Sequence, residues 1–126
     1  MKKEHLSWKQ FDEGCKELAK QIKQSKFKPE VIFTIPRGGL PIATRLGHLL
    51  NVKKIATDKT DFLQVGRKIP NILFIDDVSD TGGTILRNFI FSMKIATLHY
   101  KPCSRVKPDF YVWETDKWIV YPWEEK

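Results

Sequence analysis

The segment formed by residues 72–84 constrains the fold of this chain more than any other part of the sequence. It begins with four apolar residues of the kind that form a strand buried on both faces of a parallel sheet. Two adjacent carboxylates, Asp76 and Asp77, follow directly, and a loop of small, hydroxyl-bearing and glycine residues comes next. Because ligands of open α/β sheets bind at the carboxyl ends of the strands, this order predicts a binding site at Asp76 and Asp77.

The loop after the two acids has the properties of a phosphate-binding loop. Free backbone N–H groups at the start of a helix attract anions, and Gly82 and Gly83 have no Cβ atom to block close approach. Thr81 and Thr84 can donate hydroxyl hydrogen bonds. No lysine precedes Thr84, so this is not a Walker loop. A plainer interpretation is a strand–turn–helix unit in which Asp80 caps the helix.

The remaining pattern alternates strands and helices. Ser7 and Gln10 form a capping box, and an apolar face at helical spacing continues to the Lys-rich stretch before Pro29. We predict further helices over residues 40–50 and 85–94, strands over residues 31–35, 53–57, 71–77, 95–100 and 109–114, a loop or short hairpin over residues 58–70, and an irregular tail over residues 118–126. Strands that alternate with helices predict an α/β fold, a mostly parallel twisted sheet flanked by helices, in a single domain over residues 1–126.

Charge and cysteine content narrow the class of protein. The formal net charge is +7, and five of the 15 acidic residues lie in residues 109–126, so the rest of the chain is strongly basic. A basic body suits an anionic partner, either nucleic acid or a phosphorylated small molecule. Cys15 and Cys103 belong to no CxxC or Cys/His cluster, and no stretch approaches ~20 apolar residues. We therefore expect reduced thiols in a soluble, cytoplasmic protein without membrane contact.

Residues 72–84 closely resemble the signature with which type I phosphoribosyltransferases bind phosphoribosyl pyrophosphate (PRPP), two acids followed by a D-T-G-G-T loop. Residues 36–39, Pro-Arg-Gly-Gly, resemble the pyrophosphate loop of that family. The segments 101–102, 108–112, 118–119 and 122–124 look like xanthine–guanine phosphoribosyltransferases, and hypoxanthine–guanine enzymes share part of the pattern. This resemblance covers most of the chain. It implies the family fold with a small C-terminal base-binding hood, and a reaction that joins a 6-oxopurine to PRPP and releases pyrophosphate.

The resemblance also implies a role for each matching residue. Asp80 corresponds to the catalytic acid that accepts a proton near N7 of the base. The implied PRPP-binding residues are Arg37, Gly38, Asp76, Asp77, Ser79, Asp80, Thr81, Gly82, Gly83 and Thr84; the base-binding residues are Lys101, Trp118 and Ile119; and Mg²⁺ is implied at Asp77, Asp76 and Glu124. A cis peptide bond between Pro36 and Arg37 and a homo-oligomer, either a dimer or a tetramer, are further implications.

Several alternatives stay open at this stage. The family has a long mobile loop over the site. It corresponds here to the short segment 58–70, which lacks the Ser-Tyr pair expected in that loop. Trp118 is interpreted as a stacking platform for the base, whereas sealing the edge of the sheet is the plainer role and the one we give Trp113. An alternative function is a PRPP-sensing regulator that binds nucleic acid, although the chain shows no added DNA-binding segment. A transferase for a pyrimidine base fits the Lys101 and Trp118 pattern poorly, and the sequence does not rank xanthine, guanine and hypoxanthine.

Overall fold

Strand β4 lies at the centre of a five-stranded parallel sheet in the computed structural model, which describes residues 2–125. The strands are β1 (Lys3–His5), β2 (Val31–Thr34), β3 (Ile55–Ala56), β4 (Ile72–Ser79), β5 (Lys94–Tyr100), β6 (Phe110–Glu114) and β7 (Trp118–Val120), and the helices are α1 (Trp8–Ser25), α2 (Leu40–Leu50) and α3 (Gly83–Arg87). The order in the large sheet is β3-β2-β4-β5-β6, and every pair in it is parallel. The predicted parallel α/β fold is therefore confirmed.

The apolar run of β4 is buried because the sheet is covered on both faces. Leu73 and Ile75 belong to one core cluster, which also takes in α1 and α2. Ile72 and Phe74 point to the opposite face and join a second cluster. Alternate residues of a strand face opposite sides of a sheet, so a strand covered on both sides has to be apolar at every position.

Helix α1 begins with the capping box that the sequence predicts. The hydroxyl of Ser7 accepts a hydrogen bond from the backbone N–H of Gln10 at 3.1 Å, and the Gln10 side chain accepts one from the Ser7 N–H at 2.9 Å. The buried face of the helix includes Cys15, whose thiol pKa is raised to about 12 by burial. Cys15 and Cys103 are both free thiols. None of the helices within residues 2–125 has the length and apolar character to span a membrane.

The predicted helix over residues 85–94 is wrong in length. Helix α3 ends at Arg87, and the chain turns through residues 88–93 before β5 begins. The side-chain amide of Asn88 donates to the carbonyl of Thr84 at 2.8 Å and closes the helix. Ile90 and Met93 are buried in the second cluster, which holds this turn against the sheet. A continuous helix would carry the chain past the start of β5.

The predicted irregular tail is also wrong. Strand β7 pairs in parallel with β1, with Lys3 opposite Trp118 and His5 opposite Val120, and a single 3-10 turn follows at Pro122–Glu124. We call β1, β7 and this turn the hood. Neither three-residue strand carries a sequence pattern of its own, because both are too short to show one and each depends on pairing with a strand that is distant along the chain.

The second predicted strand, over residues 53–57, is shorter in the structure, and the segment 58–70 forms a loop. Strand β3 has two residues, Ile55 and Ala56. The segment after it contains a 3-10 turn at Lys59–Asp61 and no hairpin. Phe62 anchors it by packing against Phe33, with ring centroids 5.2 Å apart.

Candidate active site

The residues singled out from the sequence meet at one edge of the large sheet. The loop over residues 36–39 follows β2, the loop over residues 80–82 follows β4, and Lys101 follows β5. These three strands are parallel neighbours, so their carboxyl ends lie side by side. This is the edge at which ligands bind in open α/β sheets.

Asp76 and Asp77 form a half-buried acidic pair near the end of β4. One oxygen of Asp76 accepts a hydrogen bond from the Asp77 N–H at 2.9 Å, and Asp77 accepts one from the Val78 N–H at 2.8 Å. Burial, and then the adjacent charge of Asp77, raises the pKa of Asp76 to about 8. Burial also raises the pKa of Asp77. A cation or a hydroxyl-rich ligand at this pair would stabilise the charged carboxylates.

The loop over residues 36–39 lies against the acidic pair. The peptide bond between Pro36 and Arg37 is cis, as the resemblance implies. A Cβ atom at Gly38 would overlap the carboxylate of Asp77, and one at Gly39 would overlap the hydroxyl of Thr34. The chain can approach the acids this closely only because both positions are glycine. Arg37 is exposed at the mouth of this loop, with no carboxylate within ion-pair distance among the described residues.

The loop over residues 80–82 has the shape expected of a phosphate cradle. Gly82 has a φ of 86°, a left-handed conformation that glycine adopts without strain, and α3 begins at the next residue. The Thr81 hydroxyl accepts a hydrogen bond from the Gly83 N–H at 3.2 Å. Residues 78–85, together with Asp76, surround a small cavity of about 50 Å³.

The hydroxyl of Ser79 does not face the cradle, although the sequence analysis places it among the phosphate-binding groups. It is buried, lies 2.7 Å from the Ser104 hydroxyl and donates to the Val106 carbonyl at 2.7 Å. These bonds attach β4 to the loop after Lys101. Only the backbone of Ser79 remains available to a ligand.

Two arginines that the sequence analysis did not single out flank the cradle. The backbone N–H and the Nε of Arg105 both donate to the Thr81 carbonyl, at 3.1 and 3.4 Å. An Nη of Arg87 lies 3.4 Å from the Thr84 hydroxyl, three positions earlier on the same helix face. Because Arg87 follows Thr84 by three positions on a predicted helix, the sequence could have indicated that it lies beside the cradle. Arg105 comes from a different loop, and no sequence pattern indicates it.

A second cavity, of about 220 Å³, lies between the end of the sheet and the hood. Its lining comprises Asp77, Val78, Asp80, Lys101, Trp118, Ile119, Tyr121 and Glu124. The structure therefore brings together the predicted catalytic acid and all three predicted base-binding residues, and places them beside the acidic pair. Val78 and Tyr121 are additions that the sequence analysis did not make.

Lys101 and Asp80 face each other across this cavity. The Nζ of Lys101 is 3.4 Å from an Asp80 oxygen, and only 9% of the Lys101 side chain is exposed, against 45% for Asp80. The same Nζ lies 5.7 Å from the centroid of the Trp118 ring. Trp118 is 50% exposed, so one face of its ring is open to a ligand, and it does not seal the sheet edge. Trp113 does pack internally, since it stacks on His99 at 5.0 Å.

The predicted three-acid magnesium site is only partly assembled. Glu124 uses one oxygen to accept a hydrogen bond from the Tyr121 N–H at 2.9 Å. Within residues 2–125, no group of three or more His, Cys, Asp or Glu residues is arranged to hold a metal ion. Asp76 and Asp77 still fit Mg²⁺, because neither forms an ion pair with a Lys, Arg or His within residues 2–125, and Mg²⁺ commonly takes one or two carboxylates together with substrate oxygens.

Comparisons with known proteins agree with this geometry. The family model of the phosphoribosyl transferase domain matches residues 3–126. The chain is similar to the crystal structure of a purine phosphoribosyltransferase from Pyrococcus horikoshii, with 35% identity, a TM-score of 0.79, and coverage of 100% of this chain and 96% of that one. It is 30% identical to a xanthine-guanine phosphoribosyltransferase of Desulfotalea psychrophila, over 94% of this chain and 84% of the relative.

A xanthine-guanine-hypoxanthine phosphoribosyltransferase of Helicobacter pylori shares the fold, with a TM-score of 0.81, 21% identity, and coverage of 98% of this chain and 93% of that one. The domain match over residues 3–126 covers nearly all of the chain. The chain therefore belongs to the phosphoribosyltransferase family of enzymes.

Proposed function

We propose that this enzyme transfers the phosphoribosyl group of PRPP to a 6-oxopurine, which is xanthine, guanine or hypoxanthine, and forms the nucleoside 5′-monophosphate and pyrophosphate. The observation that carries the proposal is the spacing of 3.4 Å between the Lys101 ammonium and the Asp80 carboxylate beside the open face of Trp118. The 6-oxo group and N7 are neighbours on one edge of a purine. A donor and an acceptor at hydrogen-bonding distance from each other complement both groups at once.

In this arrangement the base stacks on Trp118, while Lys101 donates to the 6-oxo oxygen and Asp80 accepts the proton from N7. The N9 atom then forms a bond to the anomeric carbon of the ribose as the bond from that carbon to the pyrophosphate oxygen breaks, and pyrophosphate leaves with the electron pair. The protein has little covalent work to do. Its contribution is orientation and the stabilisation of charge.

The PRPP half of the site is proposed to extend from Arg37 to the cradle. Backbone N–H groups and the hydroxyls of Thr81 and Thr84 bind the 5′-phosphate, and Arg87 and Arg105 add positive charge on either side. Arg37 and the backbone of Gly38 bind the pyrophosphate. Asp76 and Asp77 bind the ribose hydroxyls and hold Mg²⁺, which supplies positive charge for the departing pyrophosphate.

The test is an assay of pyrophosphate release with PRPP, Mg²⁺ and a panel of bases. Release that depends on an oxopurine and is absent with adenine, orotate or uracil is the expected result. Release only with a pyrimidine or with adenine would contradict the proposal. No release with any base, together with RNA or DNA binding that weakens as salt rises, would instead favour the regulator.

We also propose that the protein is a homo-oligomer, a dimer or a tetramer. Phe91 is 82% exposed, and Leu86 and Phe89 beside it are exposed as well. Large apolar side chains grouped on a surface are characteristic of contacts between subunits. Light scattering of the purified protein measures the assembly. A monomer at high micromolar concentration would refute this part of the proposal.

A further inference from the structure

Tyr121 is a hood residue that the proposed reaction does not use. It directly follows β7, is only 2% exposed and stacks on Trp123 with the ring planes 9° apart and the centroids 5.0 Å apart. Its ring therefore has one fixed position between the hood and the main sheet. A tyrosine that serves only to fill space does not need a hydroxyl at such a place, because a buried hydroxyl costs free energy unless it is hydrogen-bonded.

The hydroxyl of Tyr121 has two partners. It donates to the carbonyl oxygen of Asp77 at 3.1 Å, and its oxygen is 2.9 Å from Nδ1 of His99. Since its one proton is directed to the carbonyl, the hydroxyl has to accept from His99, so the Nδ1 atom carries the imidazole proton. Burial lowers the pKa of His99 to about 4, so the ring is neutral near pH 7.

The carbonyl that Tyr121 binds belongs to the backbone of the acidic pair. The register between β4 and β5 pairs Asp76 with Thr97 and Val78 with His99, but it has no pair for Asp77. The N–H of Asp77 bonds to the Asp76 side chain instead. The main chain that carries the Asp77 carboxylate is thus held by Asp76 on one side and by Tyr121 on the other.

These bonds also join the two halves of the site. Within residues 2–125, no other side-chain hydrogen bond links the hood segment 117–125 to β4 or β5. Trp118 and Ile119 lie on that segment, a few residues before Tyr121. The distance between the base platform and the Asp77 carboxylate therefore depends on the Tyr121 hydroxyl.

We infer that Tyr121, supported by His99, is a positioning residue that fixes the base-binding hood relative to the ribose-binding carboxylate of Asp77. The inference rests on the proposed function, because the distance it controls is the one between the base and the anomeric carbon. Misplacement of reacting groups by about 1 Å can cost on the order of 10²-fold in rate. The hydroxyl thus acts on the rate of transfer through the position of the hood, because both of its hydrogen bonds are made to the protein itself.

The first experiment is Tyr121→Phe, which removes one oxygen and keeps the ring. With PRPP and the best oxopurine we expect kcat to fall at least about tenfold, because the base platform is no longer held at one distance from Asp77. The KM for PRPP should change less than about threefold, because the phosphate cradle does not contact Tyr121. A kcat within twofold of the unmodified protein would overturn the inference.

Two variants of His99 test the chain of hydrogen bonds. His99→Phe keeps a ring against Trp113 but removes the donor, and it should lower kcat in the same direction as Tyr121→Phe. His99→Asn places an amide nitrogen where Nδ1 lies and should restore most of the activity. The double variant with Phe at both positions should be no slower than Tyr121→Phe alone, since both changes break one chain. Additive losses, or no recovery in His99→Asn, would contradict the role of His99.

A control variant outside the site separates positioning from simple loss of stability. Ile22→Val removes one buried methyl group in α1, away from the site, and should lower Tm without lowering kcat. If activity in all of these variants follows Tm alone, the positioning role is refuted. An unmodified protein that is inactive with every base overturns the proposed function and the positioning role together. An active protein whose Tyr121→Phe variant keeps its kcat overturns the positioning role alone.

Nitrogen NMR of the His99 ring tests the assigned Nδ1 proton without any assay of activity, and an unprotonated Nδ1 refutes the assignment.

Discussion

The ammonium of Lys101 lies 3.4 Å from the carboxylate of Asp80, and the lysine is almost entirely buried whereas the aspartate is half exposed. The buried partner is the hydrogen-bond donor, and the exposed partner can accept a proton from a ligand that enters the cavity. The pair therefore complements a purine edge on which an oxygen lies next to a nitrogen that carries a proton.

The first prediction concerns the choice of base. Adenine presents an amino donor at C6, so Lys101 would face another donor in a closed site, which costs at least about 1–3 kcal/mol. We expect a preference for oxopurines over adenine of roughly 10⁴-fold in kcat/KM. Lys101→Ala should lose most oxopurine activity and narrow that preference. Lys107→Ala, an exposed lysine outside the cavity, is the matched control, and comparable use of adenine by the unmodified protein would show that Lys101 does not read the base.

The second prediction concerns proton transfer. Asp80→Asn keeps the size of the side chain but removes the proton acceptor, so kcat should fall on the order of 10²–10⁴-fold. Binding of PRPP, measured by calorimetry, should persist because the backbone of the cradle is unchanged. Asp116→Asn, which changes an exposed acid between β6 and β7, should leave kcat unaltered. Full activity of Asp80→Asn at saturating substrates would show that Asp80 does not accept the proton. The capping role that the sequence offers for Asp80 is wrong, because the N-cap of α3 is Gly82 and no side chain caps the helix.

The third prediction concerns the contact between Gly38 and Asp77. The Cβ of Gly38→Ala would overlap the Asp77 carboxylate and displace it from the proposed ribose and Mg²⁺ site. The KM for PRPP should rise tenfold or more, while Tm changes little because the displaced carboxylate is the end of a side chain. An unchanged KM for PRPP would indicate that Asp77 does not bind this substrate.

The fourth prediction concerns pH and His99. Burial lowers the pKa of His99 from 6.5 to about 4, so between these values the unfolded chain binds a proton that the folded protein does not. This contribution to stability is complete above pH 6.5 and is lost as the pH falls towards 4. One pKa unit corresponds to about 1.4 kcal/mol, so the full loss is roughly 3 kcal/mol. The free energy of unfolding, measured with urea at pH 7 and at pH 4.5, should fall by about this amount more in the unmodified protein than in His99→Phe. Equal losses in both proteins would show that His99 is not the group responsible.

The sequence predicts the elements whose pattern is local. Strand β4 and the loop after it are predicted because an apolar run, two acids and two glycines are consecutive. Helix α1 is predicted from its capping box. Both signals depend on residues within a few positions of each other, and the structure confirms both.

The features missed from the sequence depend on residues that are distant along the chain. Tyr121 bonds to Asp77 and His99, and Arg105 reaches Thr81, only after the sheet has formed. Ser79 fits the motif by type, yet its hydroxyl is directed to the loop at Ser104. A motif specifies residue types and spacing, whereas side-chain direction follows from packing.

The pairing of β1 with β7 has a consequence for how the protein is made. Residues Lys3–His5 leave the ribosome before every strand of the main sheet, and their partners Trp118–Val120 leave it after all of those strands. The proposed PRPP side of the site, built from β2 and β4, can thus be complete while the nascent chain still lacks a wall of the proposed base cavity. That wall forms only once β7 has been synthesised.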